Sequence, residues 1–464
     1  KVHQQVNFYA DSLEAVPGGT LSLRVVNENE DTSLDAFSIS WELWEDGIKK
    51  LGGDDLNLTT PAMKGKSLMT GDHVEDFDIQ LPMFEAKEGR DYLLNISVQL
   101  KDGNAWAEKD YEIASQQLQL TLPGTAQEEA EPTTKELTKM EQLGSQLTLE
   151  GMTDNNQKFT IVLDTAKGII LAYSLDGTLV MTQGPEQSLY RAETYNDTTV
   201  GKDGNLKNAG SYENLSDVEV AVTQDNSQVL MAMSGSMKVD ASALMAYQIY
   251  GNGEIVVLSQ FLPNSNFAPN GLPKIGGRMM ISGEFDNLTY YGRGPEENYV
   301  DRKSGYDVGV YQSVVYDYAN AMGADSTWDG WRMLKPQENG NRTDIRWTAL
   351  TNDAGVGLMV TGSGLLESSV AHYTAEDMNA GTYNNPTYRH PGQVPQREDI
   401  VWNIDLHPNG LRHTDSMGHK PLIGYFFPTN KSYSNPYRHS PVNTKAPETL
   451  HTVTHQPSAD PATS

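Results

Sequence analysis

The 464-residue sequence carries 62 acidic against 34 basic side chains, for a formal net charge of −28 and a pI near 4.6. That balance excludes nucleic acid as the partner, because phosphates need a basic surface, and argues against anionic membrane faces, while a neutral ligand such as a sugar is compatible. With no cysteine, disulfides, thiolate metal sites and cysteine nucleophiles are excluded. Periplasmic placement is expected, with the cytoplasm as the alternative, since an absence of cysteine suits either. No apolar run reaches the roughly 18 residues that a spanning helix needs. The opening Lys1-Val2-His3, without initiator methionine or signal peptide, reads as a mature or excised piece of a longer protein.

Residues 6 to 113 read as about seven short strands. Leu21, Leu23 and Val25 alternate with Ser22, Arg24 and Val26; Phe37, Ile39, Trp41 and Leu43 alternate with Ser38, Ser40, Glu42 and Trp44. Tyr92, Leu94, Ile96, Val98 and Leu100 share a third face. Period two puts one set in a core and the other in water. Turns fall at Pro17-Gly18-Gly19, Asp46-Gly47, Gly52-Gly53 and Asp102-Gly103. An immunoglobulin-like β-sandwich over 1–122 is expected, with Trp41 and Trp44 as core and surface packing rather than a sugar platform. Residues 123–143, acidic, Pro-flanked and weakly apolar, read as a linker or a loosely packed crossover.

Strands return from 144 to 430, hairpin after hairpin. Phe159, Ile161 and Leu163 lead to the turn Ala166-Lys167-Gly168, and Val218, Val220 and Val222 turn at Asp225-Asn226 toward Val229, Met231 and Met233. The run from Leu244 to Tyr250 turns at Gly251-Asn252-Gly253 into Ile255 and Val257. So many hairpins without helices call for a large sandwich of wide sheets, and no fixed-period repeat suggests a propeller or solenoid. Residues 431–464, with prolines at 436, 441, 447, 457 and 461 among Ser, Thr and His, read as a Pro-rich C-terminal tail.

Chemistry-bearing residues are spread widely. In the turn from Tyr290 to Arg302, two glycines and Pro295 break a strand and crowd Glu296, Glu297, Asn298, Asp301 and Arg302 together. Glycoside hydrolysis needs two facing carboxylates, but neighbours such as Glu296 and Glu297 point apart on a strand, so at least one is solvated. His407, His413 and His419 cluster in a segment rich in Gly, Asn and Asp. It reads as a loop over a pocket rather than a zinc site, for no HExxH pattern accompanies it. Asn196-Asp197 and Asp203-Gly204-Asn205 fit no EF-hand spacing and read as Asx turns. No nucleophile elbow, P-loop or dinucleotide fingerprint is present.

Three ordered stretches resemble one family. Tyr291-Gly-Arg-Gly-Pro-Glu-Glu-Asn-Tyr-Val-Asp-Arg302 is similar to the G-x-G-P-x-E-N-Y-x-D-R motif of the small-chain domain of glycoside hydrolase family 2 β-galactosidases. Pro336-Gln-Glu-Asn-Gly-Asn-Arg-Thr-Asp-Ile-Arg-Trp347 resembles its P-Q-E-N-G-N-R-T-D-x-R-W, and Leu189-Tyr-Arg-Ala-Glu-Thr-Tyr-Asn-Asp197 its F-W-R-A-P-T-D-N-D. Val2-His-Gln-Gln-Val6 and Trp41-Glu-Leu-Trp-Glu-Asp-Gly47 resemble the preceding sandwich domain. Together the likeness covers most of residues 1 to 430.

The resemblance implies an all-β chain: an immunoglobulin-like β-sandwich, then a large galactose-mutarotase-like supersandwich. It implies Arg293, Glu296, Asn298, Asp301, Arg302, Glu338, Asn339 and Arg342 as structural motif residues. It implies no catalytic residue in this chain, because the family's two glutamates sit on a preceding (β/α)8 barrel and no βα alternation occurs here. The family's pocket-walling G-x-G-G-D-D-S-W aligns with Gly410 to Met417, implying His413, Asp415 and Met417 as substrate-binding residues. There Met417 replaces the tryptophan; a thioether lacks the flat π face that packs on sugar C–H groups. Glu193 for a proline and Tyr195 for an aspartate are two further departures. Implied partners are a β-galactoside, the barrel on the same chain or on a large subunit, and further copies in a homo-oligomer. No cofactor is expected within the chain, and a divalent or monovalent cation would belong to the full-length enzyme. A stand-alone carbohydrate-binding or scaffold protein is the alternative reading, and a mutarotase-like epimerase the third.

Overall fold

The computed structural model describes residues 3–53, 56–64, 71–122, 135–194, 212–264, 272–315, 336–379, 393–394, 396–408, 411, 425, 427–428 and 430–444. The chain divides into two compact units, one built mainly on the stretch up to Leu122 and the other on most of the remaining chain.

The first unit holds β1 (Val6–Tyr9), β2 (Thr20–Asn27), β3 (Phe37–Glu45), β4 (Ile48–Gly53), β5 (Val74–Gln80), β6 (Tyr92–Leu100) and β7 (Glu112–Leu120). They form an antiparallel three-stranded sheet, β1-β2-β5, and a four-stranded one, β4-β3-β6-β7. This is the expected sandwich. Leu21, Leu23 and Val25 of one sheet share a core with Ile39, Trp41, Leu43, Leu94, Ile96 and Val98 of the other. Trp41 is buried, whereas Trp44 lies on the other face of β3 and donates its indole N–H to Glu42 at 2.8 Å. Asp46 (φ 50°) and Gly47 (φ 76°) make the tight β3–β4 turn, both in the left-handed region that such hairpins demand.

The remaining strands are β8 (Lys139–Leu143), β9 (Gln146–Met152), β10 (Lys158–Asp164), β11 (Ile169–Leu175), β12 (Thr178–Ser188), β13 (Tyr212–Val222), β14 (Gln228–Met237), β15 (Ala241–Tyr250), β16 (Ile255–Pro263), β17 (Lys274–Ile281), β18 (Asn287–Gly294), β19 (Asp307–Val314), β20 (Arg342–Thr351), β21 (Val356–Ala371), β22 (Ile400–Pro408) and β23 (Tyr433–Asn443). They make one curled sheet in the order β13-β14-β15-β16-β23-β21-β22-β17-β12-β11-β10-β9-β8, from which β18, β19 and β20 branch. The hairpins read from the sequence, β10–β11, β13–β14 and β15–β16, pair antiparallel as expected, the first two with register shifts along their length. Their inward residues, such as Phe159, Ile161, Val229, Met231, Ile255 and Val257, meet Trp402, Ile404 and Tyr437 in one core.

Two boundaries differ from the sequence reading. The stretch read as a linker ends in strand β8, paired with β9, and Leu137 is buried in the core. Every residue of β8 is exposed, so no alternation marks it. The stretch read as a tail contains β23, which lies between β16 and β21. Prolines in an interior strand break the rule that sheets admit them only at edges. The register explains the exception: β16 pairs with 433–439 and β21 with 437–443, so Pro436 and Pro441 each lie where only one neighbour is hydrogen-bonded.

Candidate functional site

Two sequence motifs that stand about forty residues apart are one structural knot. Asn298, fully buried after β18, donates its side-chain amide to the carbonyls of Arg293 and Glu296 at 3.0 Å each. Its Oδ1 accepts from the backbone N–H of Thr343 at 3.0 Å and also from the Thr343 hydroxyl. Asn341 answers from the other side, its Nδ2 donating to the Asn298 carbonyl at 2.9 Å and its own carbonyl accepting from the Asn298 N–H at 2.8 Å. Glu297 accepts from Gly340 N–H at 2.5 Å, and burial pushes its carboxyl upward. Arg293 pairs with Asp344, which Lys303 also meets at 2.7 Å, and these cations hold the Asp344 carboxyl below its usual range against its burial. Arg342 donates to the Gly340 carbonyl at 2.9 Å and lies over the Tyr290 ring at 5.1 Å. Asn339 donates to the Gln337 carbonyl at 2.8 Å. Glu296 is half-buried, and Asp301 and Arg302 pair loosely with each other at 3.7 Å, Arg302 being exposed. The motif is a clamp that fixes the entry to β20.

The clamp leads to a polar face that the sequence did not mark. In antiparallel sheets, register partners point to the same side. Across β12, β17, β22 and β21, one rung is Ser188, Gly276, Asp405 and Glu367, and the next is Glu186, Arg278, Asn403 and Ser369. Lys274 closes the first rung, its Nζ lying 3.1 Å from Asp405 and donating to Asn403 at 2.8 Å; the Lys274 and Asp405 side chains are only 6% and 4% exposed. Gly276 must be glycine here, because a Cβ would collide with the Asp405 carboxylate. Asn341 joins the clamp to the face by donating to Glu367 at 2.7 Å. Arg278 is held between Glu186 and Glu376, each at 2.7 Å.

The electrostatics follow from burial. Desolvation raises the Asp405 carboxyl to about 6, although Lys274 pulls the other way. Glu338, ringed by Arg191, Lys274, Asp405 and Glu297, is pushed up to about 7, again by desolvation, with Arg191 and Lys274 opposing. Glu367 is raised by burial against its bond from Asn341. The face therefore sets carboxylates that titrate near neutrality beside fixed cations, the pattern of a functional site and equally of a structural ion network.

The residues expected to bind substrate, His413, Asp415 and Met417, lie outside the described residues, as do Asn196-Asp197 and Asp203-Gly204-Asn205. Of the three clustered histidines, only the backbone of His407 is described, in β22. Among the described residues, no group of three or more His, Cys, Asp or Glu is placed to hold a metal ion. Sequence reasoning missed Lys274, Arg278, Asn403, Asp405 and Glu367 because alternate polar positions on a strand look solvated. The signal available was Trp402 and Ile404 alternating with Asn403 and Asp405, beside the paired glycines Gly276 and Gly277.

Comparison with known proteins gives the class. Residues 155–438 match the family described as β-galactosidase small chain, and residues 23–121 match β-galactosidase domain 4. The chain belongs to the β-galactosidase small-chain family. It is 26% identical over 429 residues to a β-galactosidase of Priestia megaterium, covering 90% of this chain and 37% of that one. It is 27% identical over 413 residues to the β-galactosidase of Lactobacillus delbrueckii subsp. bulgaricus (86% and 37%) and 24% identical over 427 residues to that of Streptococcus thermophilus (91% and 37%). The chain thus spans little more than a third of the length of these relatives. Among solved structures, galactose 1-epimerase from Lactobacillus acidophilus NCFM aligns at 9% identity and a TM-score of 0.32, over 64% of this chain and 94% of that one, which is too loose to bear on function.

Proposed function

We propose that this chain is the non-catalytic C-terminal region of a retaining β-galactosidase of glycoside hydrolase family 2, which hydrolyses terminal β-galactosides. The observation that carries the reading is the small-chain match over residues 155–438, in a chain that spans only 37% of its relatives. The described residues hold strands and one short 3-10 turn and show no βα alternation of the kind that builds a barrel. Retaining hydrolysis needs an acid/base and a nucleophile held across one bond. In this reading both are supplied by a barrel, on the same chain or on a large subunit, and the small-chain region aids assembly into a homo-oligomer.

The segment His413 to Met417 completes the sugar-binding pocket, with Asp415 and His413 offering polar contacts and Met417 an apolar wall. Any divalent or monovalent cation belongs to the full-length enzyme, in the periplasm or, as the alternative, the cytoplasm. The 464-residue chain, purified free of other glycosidases, is expected to leave p-nitrophenyl β-galactoside untouched. Turnover that co-purifies with this chain would sink the non-catalytic reading. In the full-length enzyme, Met417→Trp is expected to shift the preference among galactosides of different aglycone. An unchanged substrate profile would remove Met417 from the pocket.

A further inference from the structure

We propose that the polar face of β12, β17, β22 and β21 is a binding site for a neutral hexose, with Lys274 and Asp405 as its floor and Asn403, Ser369, Arg278 and Glu338 as its accessible rim. The choice of a hexose rests on the reading of the chain as part of a galactosidase; the site itself rests on geometry.

The floor is sealed, but the rim is not. Lys274 and Asp405 are nearly fully buried, whereas Asn403, Ser369, Arg278 and Glu338 keep part of their surface in solvent. Asn403 links floor to rim, its Oδ1 accepting from Lys274 at 2.8 Å and its Nδ2 donating to the Ser369 hydroxyl at 3.1 Å. Tyr299 reaches Glu338 only at 3.4 Å, long for a hydroxyl–carboxylate bond, so this contact leaves the Glu338 carboxyl able to accept a further hydrogen bond.

Charge type then selects the ligand. A divalent cation on Asp405 would have to displace or face the Lys274 ammonium, 3.1 Å away. A phosphate would face Asp405, Glu338 and Glu367, and the surplus of 62 acidic over 34 basic residues repels it from a distance. A sugar hydroxyl both donates and accepts. It therefore suits a face on which carboxylates, an amide, a hydroxyl, an ammonium and a guanidinium alternate over a few ångströms. A rim that sets a carboxylate beside cations also fits vicinal hydroxyls, each of which can donate to a carboxylate oxygen and accept from a guanidinium or ammonium N–H.

Titration calorimetry of the 464-residue chain with galactose tests this, with inorganic phosphate and magnesium chloride as the competing probes. Binding in the millimolar range or tighter is expected for galactose, and none for the two ions. Glu338→Gln and Asn403→Ala are each expected to weaken it by about tenfold or more. Ser369→Ala, a smaller change at the rim, should weaken it less while leaving the near-ultraviolet circular dichroism unchanged. Absence of galactose binding, binding of phosphate or magnesium at this face instead, or galactose affinity that survives all three substitutions overturns the site. Each of those outcomes leaves the non-catalytic reading standing, because that reading turns on hydrolysis and this one on binding.

Discussion

Asn298→Ala is expected to destabilise the larger sheet by about 3–5 kcal/mol, at the top of what single substitutions do. The side chain is fully buried and serves both ends of the clamp. Its loss leaves the carbonyls of Arg293 and Glu296 without their amide donor, and the Thr343 N–H and hydroxyl without their acceptor. Each such buried group costs about 1–3 kcal/mol when orphaned, and relaxation recovers part of the total. Asn298→Asp separates the two halves of the effect. It keeps the acceptor but loses both donations, and it sets a carboxylate against two carbonyls, so it too is expected to destabilise, less at pH 5 than at pH 8. Urea unfolding followed by tryptophan fluorescence gives the answer, since Trp347 and Trp402 lie in the larger sheet and Trp41 and Trp44 in the four-stranded sheet of the first unit. A change below about 1 kcal/mol for Asn298→Ala would show that the two motifs are held by something other than this knot.

The knot also shows what a reader of the sequence can and cannot see. Asn298 stands out as a motif residue and Asn341 falls inside the second motif, and the family likeness of both stretches is legible from the letters alone. Their reciprocal bonds are not legible, because a pairing across 43 positions depends on β18 and β20 lying side by side. The sandwich strands were readable because Leu21, Leu23, Val25 and Ile39, Trp41, Leu43 alternate in hydropathy, the quantity that burial selects. Strand β23 hid behind its composition: its buried positions are Asn435, Tyr437, His439 and Val442, mostly polar or aromatic types that a hydropathy pattern scores as surface. The polar face hid for the same reason in reverse. Asp405 alternates with Trp402 and Ile404 as a solvent-facing residue would, and only the fold, which packs its carboxylate close over Gly276 and beside the buried Lys274 ammonium, takes it out of water.

Lys274→Met is expected to cost about 3–5 kcal/mol at pH 8, because removing one member of a buried pair strands the charge of the other. The size should depend on pH, and the sign is set by Asp405. Its carboxyl titrates at about 6 in the fold, raised by burial, against roughly 3.9 in the unfolded chain. A carboxyl raised in this way contributes stability that is complete below about pH 4 and is lost as pH rises through about 6. Wild-type stability from this group therefore falls mainly between about pH 4 and pH 6 and is nearly level above about pH 7, and Asp405→Asn should flatten that slope. In Lys274→Met the carboxyl loses the cation that favours its charged form, so its titration moves higher still. At pH 5 the group is largely protonated with or without Lys274, the ion pair is already weakened, and the substitution should cost much less. The double variant Lys274→Met/Asp405→Leu removes both charges and should recover most of the loss at pH 8, as apolar replacements of buried pairs commonly do. Urea midpoints at pH 5, 6, 7 and 8 for the three variants and the wild type read all of this in one series. A loss that stays constant across that range, or a double variant no better than Lys274→Met, would mean that the two side chains are neighbours on the face without being electrostatic partners.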